Sequence, residues 1–396
     1  MTRHPMPIIN LCVFLSVASI GAFSGGFWAI SAIAGGIILY ALACTGQHRL
    51  LRLDRTFTTL GIATLALIAL NNVVSTNPAV SWSEWLRLAS IFVPLLLLLC
   101  PSIISLVDHP KLFPVMAIVV ALVSILLGIE LSSGEPLLQT LKGHPVPLTD
   151  YNRGISYIVL LAFPLIAWLW LSGRQRLAIL FFLVLLIPTS LTESRAAKLA
   201  MVAGLGVTVL AALWPLWTQR GLMLITTLCS FWSYGARFLF TQQPDMVKHL
   251  PDSWRARVEI WDYMSYRIDE HPLLGWGLGN SRALDYVHPH GALYSFIVNQ
   301  PAPHPHNMLT QLWVELGLPG LALGLLFAYL TLRKINTLPP SLAPFATGAW
   351  MAALCLSLVA YNFWSDSLFA AFTLTALAFG LLANKKIPVR TTVTGK

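Results

Sequence analysis

The stretch "PHPHNMLTQLWVELGLPG", residues 303–320, places His304, His306, Asn307, Gln311 and Glu315 at the head of an otherwise apolar run. Polar and ionisable groups are costly at membrane depth, so side chains kept there need a partner or a task. Asn307, Gln311 and Glu315 are spaced four apart, which aligns them on one stripe of a helix. That stripe requires an aqueous cleft or a facing partner. His306 falls where the helix begins. An imidazole, with an unperturbed pKa of about 6.5, suits a general base that must be neutral at working pH.

Two further groups of this kind stand out. "LTESRAAKLA", residues 191–200, carries Glu193, Arg195 and Lys198 at a turn between apolar runs, and Arg153 opens another run. Each has an ordinary alternative: a terminal histidine caps or is solvated, and arginines at helix ends reach for lipid phosphates. Glu315 could serve packing alone, paired with an arginine of a neighbouring span. The repeated His-Pro-His pattern, His288 with His290 and His304 with His306, raises the question of zinc or copper. No nearby cysteine or carboxylate cluster completes such a site, so no metal or other cofactor is expected.

The elements that position these groups follow from composition. Of the 396 residues, 56% are hydrophobic and 10% charged, too few charges to clothe a soluble core. Apolar runs of helical length recur at about 7–23, 26–44, 56–74, 84–106, 112–130, 154–171, 177–192, 196–217, 221–240, 307–332, 342–360 and 367–383. The expected fold is therefore an all-α polytopic membrane protein of about twelve transmembrane helices, one transmembrane domain over 1–396. The first run lacks a cleavage pattern and reads as a retained helix rather than a signal peptide. The cysteines are five and unpaired in spacing, which indicates neither disulfides nor zinc.

The net charge of +9 gathers in alternate loops, among them Arg49, Arg52, Arg55, Arg174, Arg176, Arg333, Lys334, Lys385 and Lys386. This is the positive-inside pattern, and it predicts both termini in the cytoplasm. The basic excess then reports membrane insertion and anionic lipid, with no nucleic-acid partner. Two loops fall on the outer side, 131–153 and the larger 241–306. Within the larger, "PDSWRARVEIWDYMSYRIDEHPLLGWGLGNS" predicts an amphipathic helix capped by Asp252 or Ser253 and ended by His271-Pro272. Trp254, Val258, Trp261, Met264 and Ile268 make its apolar stripe, and Arg255, Glu259, Asp262 and Tyr266 point elsewhere. The helix suits a position on the bilayer surface or as a roof on the bundle. A weaker helix is expected over about 281–298.

No Walker loop, GxSxG or paired outer carboxylates occur. Arginines and a histidine without metal suit an anionic donor whose leaving group is already good, such as a lipid pyrophosphate.

"HNMLTQLWVELGLPG" resembles the H-N-x(7)-E-x-G-x-x-G signature of the O-antigen ligase/polymerase superfamily. "RVEIWDYMSYRIDEHPLLGWGLGN" is similar to its R-x-x-x-W … P-x-x-G-x-G-x-x-N block, and "SR" at 194–195 to the arginine that opens a central span. The likeness covers residues from about 190 to 320. It implies a metal-independent glycosyltransferase of the GT-C type in the bacterial inner membrane, with its active site on the periplasmic face; a single displacement there predicts inversion. The donor would be an undecaprenyl-pyrophosphate-linked glycan and the acceptor the lipid A–core oligosaccharide. On the same resemblance His306 would be the catalytic base, and Arg195 and Arg257 would bind the donor pyrophosphate. Arg153 rests as much on its location, and Asn307 and Glu315 would support the site. A polymerase or a protein O-oligosaccharyltransferase of the same superfamily is the alternative. A secondary transporter or lipid flippase is the reading from another class; it predicts inverted repeats and charges near the midplane.

Overall fold

In a chain this apolar the backbone must satisfy its own hydrogen bonds, and helices do so within one segment. The computed structural model describes residues 55–98, 109–134, 140, 148–282 and 304–384. Among these residues it is helical, with no strand. In chain order the helices are α1 (Arg55–Val73), α2 (Pro78–Leu98), α3 (His109–Ser132), α4 (Leu148–Leu171), α5 (Gln175–Leu191), α6 (Arg195–Leu213) and α7 (Pro215–Cys229). There follow α8 (Trp232–Gln242), α9 (Pro244–Lys248), α10 (Asp252–Glu270), a 3-10 turn Asn280–Arg282, α11 (Met308–Ile335), α12 (Ala343–Val359) and α13 (Asp366–Asn384).

Six of these are long and apolar enough to cross a membrane, and α5 and α12 are shorter apolar helices. The architecture is that of a polytopic membrane protein. The expected runs at 7–23 and 26–44, the His288/His290 pair and most of the expected 281–298 helix lie outside the described residues.

The helices depart from the hydropathy runs where local chemistry interrupts them. The run at 196–217 stops at Leu213, because Pro215 cannot continue the ladder and instead opens α7 at its first position. The run at 221–240 is two helices, broken around Ser230–Phe231. Just before the break the Thr226 and Thr227 hydroxyls donate to carbonyls one turn back, at 2.8 and 2.9 Å, a bond that competes with the ladder. The long helix α11 is broken at Gly317, whose φ of 66° is left-handed.

The main core joins α3, α4, α5, α6, α12 and α13. Within it α6 and α12 run antiparallel at very close range. A Cβ on Gly348 would lie 2.5 Å from the Gly204 carbonyl oxygen, and one on Gly204 2.9 Å from that of Gly348. Small residues permit this approach in a membrane bundle. Both glycines sit roughly three turns from the same end of the pair, where α6 begins at Arg195 and α12 ends at Val359.

Helix α10 packs on α8 and α11 through Val258, Trp261, Met264 and Ile268, all buried. Its apolar stripe is thus placed as its periodicity predicts, but two details differ. Pro251 takes the N-cap position, without a side-chain cap. Glu259 and Asp262 are buried rather than solvated, because the helix is packed on more than one side.

Candidate active site

The two sequence blocks around residues 272–281 and 306–320 turn out to be one piece of structure. Pro319 has no N–H to return to the Glu315 carbonyl, and the break at Gly317 turns the Leu318 N–H away from Val314. Those two carbonyls accept from the loop instead: Trp276 N–H donates to Val314 at 2.8 Å and Gly277 N–H to Glu315 at 2.9 Å. Leu318 N–H in turn donates to the Pro272 carbonyl at 2.9 Å. The fit leaves no room for a side chain, since a Cβ on Gly317 would lie 2.2 Å from the Leu273 carbonyl oxygen.

The Glu315 side chain, with no exposed surface, fastens the same joint. Gly279 N–H donates to it at 2.9 Å, Trp364 Nε1 at 2.6 Å, Gln311 Nε2 at 3.0 Å, and the Ser281 hydroxyl donates as well. These four donors, and no arginine, satisfy the carboxylate. Gln311 also reaches the 360–365 turn, donating to Asn362 Oδ1 at 2.8 Å and accepting from Phe363 N–H at 2.9 Å. Gln311 and Glu315 therefore meet facing partners rather than a water-filled cleft. Asn307 stands outside the helix as its N-cap, accepting from Leu309 and Thr310 N–H at 3.0 Å.

Beside this joint opens a cavity of about 1450 Å³. Arg153, Arg195, Arg257 and His306 all line it; Asn307 and Glu315 do not. Four elements deliver the lining groups. Arg195 is the first residue of α6, whose N-cap is Ser194, accepting from Ala197 N–H at 3.2 Å. Arg257 lies on α10, with Nε donating to the Val359 carbonyl at 3.1 Å and Nη1 to the Ser253 carbonyl at 2.6 Å. Arg195 Nη1 donates to the Ser253 hydroxyl at 3.3 Å, so one serine links the two guanidinium groups. Arg153, in the first turns of α4, lies 3.6 Å from Asp150. His306 precedes α11.

The electrostatics favour an anion. Burial, and then the neighbouring Arg195, both depress the pKa of Arg257, as expected for two like charges sharing a wall. Among the described residues Arg195, Lys198 and Arg257 have no carboxylate within ion-pair range. The start of α6 adds free backbone N–H groups and the positive end of its dipole on the same side.

His306 is held at both ends of its residue. Its Nδ1 faces the Ala360 carbonyl oxygen at 3.2 Å. A carbonyl only accepts, so Nδ1 carries the proton and Nε2 keeps the lone pair. Burial, reinforced by Arg257, lowers its pKa to about 4, with the Ala360 contact pulling the other way. His304 is lowered to about 2, by burial first and then by His306, Arg282, Arg153 and Arg257. Both imidazoles are neutral at ordinary pH.

The same lining contains residues that hydropathy reasoning passes over. Arg87 of α2 bonds Glu84 through Nε at 2.9 Å, pairs with Asp366 at the start of α13, and donates to the Trp364 carbonyl at 3.1 Å. Arg282 lies 3.7 Å from Glu84. The signal was present as Glu84 and Arg87, three apart at the head of an apolar run, where ionisable residues are candidates by default. The 360–365 turn gave no such signal, because what it offers is mostly backbone.

Residues 186–325 match the model of a family described as O-antigen ligase. A protein of Rickettsia felis (strain ATCC VR-1525 / URRWXCal2) named "Putative polysaccharide ligase" is 27% identical over 244 residues, 61% of this chain and 60% of its own length. Proteins given that name in Rickettsia conorii and Rickettsia typhi are each 25% identical, over 217 and 250 residues. They are covered to 53% and 60% of their own lengths, and this chain to 54% and 61%. The chain thus spans between about half and three fifths of the relatives it matches. The resemblance read from the HN…ExGxxG and R…W…PxxGxGxxN blocks is borne out.

Proposed function

We propose that this protein is an O-antigen-ligase-type glycosyltransferase that moves a glycan from undecaprenyl pyrophosphate to the lipid A–core oligosaccharide. It would work without a metal, with inversion, in the inner membrane and at a periplasmic cavity, on a GT-C-type scaffold. The family match and the polysaccharide-ligase relatives support the class of reaction. The observation that carries the chemistry is a single cavity lined by Arg195 and Arg257, without carboxylate partners among the described residues, and by an imidazole whose Nδ1–H is tied to Ala360.

Arg195 and Arg257 hold the donor pyrophosphate and offset the charge that grows on it as it leaves. Arg153, paired loosely with Asp150, turns from that carboxylate to the phosphate. The acceptor hydroxyl approaches the anomeric carbon from the opposite face. His306 Nε2 takes its proton as the new carbon–oxygen bond forms. The bond from the anomeric carbon to the pyrophosphate oxygen breaks, and its electron pair departs with the carrier lipid. Asn307 and Glu315 act at one remove, fixing the start of α11 and the loop docked on it.

The test is purified protein in liposomes with an undecaprenyl-pyrophosphate glycan and lipid A–core, followed by gel mobility of the acceptor and anomeric NMR of the product. Transfer with inversion, unaffected by chelator, is expected. Elongation of the donor glycan on its carrier would instead indicate a polymerase, and vectorial uptake without a covalent product a transporter; either outcome sinks the reading.

A further inference from the structure

His306 is the one non-glycine among the described residues with a left-handed φ, 53°. A side chain with a Cβ avoids that region, and it persists where neighbours over-determine it. Three contacts do so. The residue before is pinned by Trp261, whose Nε1 donates to the Pro305 carbonyl at 2.9 Å. The residue after is pinned by the Asn307 cap on Leu309 and Thr310. The third contact is to the backbone of His306 itself, whose N–H donates to His304 Nδ1 at 3.2 Å.

That last bond closes a ring from a side-chain acceptor to the N–H two residues on, the geometry that Asp and Asn use in an Asx turn. Here an imidazole does it. Pro305 between the two histidines assists, because proline fixes its own φ and pushes the preceding residue toward extended backbone. The rings lie 4.0 Å apart between centroids. An accepting Nδ1 requires a neutral ring protonated on Nε2, in keeping with the buried, cation-flanked surroundings of His304.

We infer that His304 is a positioning residue for His306: its Nδ1 accepts the His306 N–H, stabilises the left-handed turn, and so aims His306 Nε2 into the cavity while Nδ1 stays on Ala360. This role rests on His306 being the base proposed above. It also makes a claim about backbone geometry that stands apart from the reaction.

The discriminating pair is His304→Asn and His304→Ala. Asparagine restores an acceptor for the N–H two residues on, without an imidazole; alanine restores nothing. In the liposome transfer assay His304→Ala is expected to lose kcat by tenfold or more with KM for the donor within about twofold. His304→Asn is expected to recover most of kcat, with the acid limb of its pH profile where the wild type has it. Hydrogen exchange in detergent supplies a readout independent of any activity. The peptide spanning 304–310 is expected to exchange at least tenfold faster in His304→Ala and at the wild-type rate in His304→Asn, with the rest of the chain protected alike in both. Equal loss of kcat in both variants, or unchanged exchange in His304→Ala, overturns the assignment. Exchange that behaves as stated in a protein that transfers no glycan would leave the turn in place and refute the proposed reaction instead.

Discussion

The Nδ1 of His306 and the carbonyl of Ala360 lie 3.2 Å apart, joining the residue before the α11 N-cap to the residue that follows α12. The contact fixes which nitrogen of the ring is basic. If Nε2 of that ring removes the acceptor proton, His306→Ala is expected to lower transfer about 10²–10⁴-fold while leaving donor binding within about twofold. Binding of a fluorescent lipid-pyrophosphate glycan alongside turnover separates the two. Near-normal turnover in the variant removes the base assignment.

The same surroundings set a pH dependence. Burial and Arg257 depress the His306 pKa to about 4 in the free protein. Above that value the ring is neutral, so kcat/KM for the donor should hold from neutrality down to about pH 4 and fall below it. A bound pyrophosphate adds negative charge beside the ring, which favours the protonated form. The limb in kcat must therefore lie at higher pH than the limb in kcat/KM. The sign for stability is opposite to that of a salt-bridged histidine: the unfolded chain takes up its proton near 6.5, so this residue opposes folding increasingly as pH falls from 6.5 toward 4. A kcat/KM limb at 6.5 or above would show the ring in quite different surroundings.

Arg195 and Arg257 both bond Ser253, and the Arg195 charge adds to burial in lowering the Arg257 pKa. Each replaced by Gln is expected to raise the donor KM roughly tenfold and lower kcat, since the pyrophosphate gains charge in the transition state. Arg257→Lys should rescue poorly. The Arg257 fork donates at once to the Val359 and Ser253 carbonyls, a geometry an ammonium cannot reproduce. Steady-state kinetics over a range of salt checks this, and full activity in Arg257→Lys would count against a bidentate role.

Hydropathy revealed the helices because membrane burial leaves long apolar runs, and it located the cavity because charges at span ends are rare enough to notice. Arg153, Arg195 and His306, far apart in sequence, do meet there. What it could not reveal was carried by backbone. The Ala360 carbonyl, the Val359 carbonyl and the Phe363 N–H are invisible in a list of side chains, yet they orient His306, Arg257 and Gln311. The break in α11 was legible in principle, since Pro319 within "ELGLPG" must free the carbonyl four residues earlier. Its purpose, to accept the 272–277 loop, required the fold. Arg87 was missed for a different reason: it lies inside a run that averages as apolar.

The joint between that loop and α11 gives the last expectation. Glu315 accepts from four donors on three separate segments, and Gly317 admits the loop because it has no side chain. In Glu315→Gln an amide replaces one accepting oxygen with a donor that must face other donors. Leaving a buried donor unsatisfied costs about 1–3 kcal/mol. Gly317→Ala adds a Cβ at 2.2 Å from the Leu273 carbonyl and must hold a left-handed φ. Both are expected to lower the melting temperature of the detergent-solubilised protein and to speed proteolysis within 270–282, whereas His306→Ala should change neither. Glu315→Asp shortens the reach and should fall between. If Glu315→Gln melts like the wild type yet loses transfer, the carboxylate takes part in the reaction directly and its placement outside the cavity does not describe the working state.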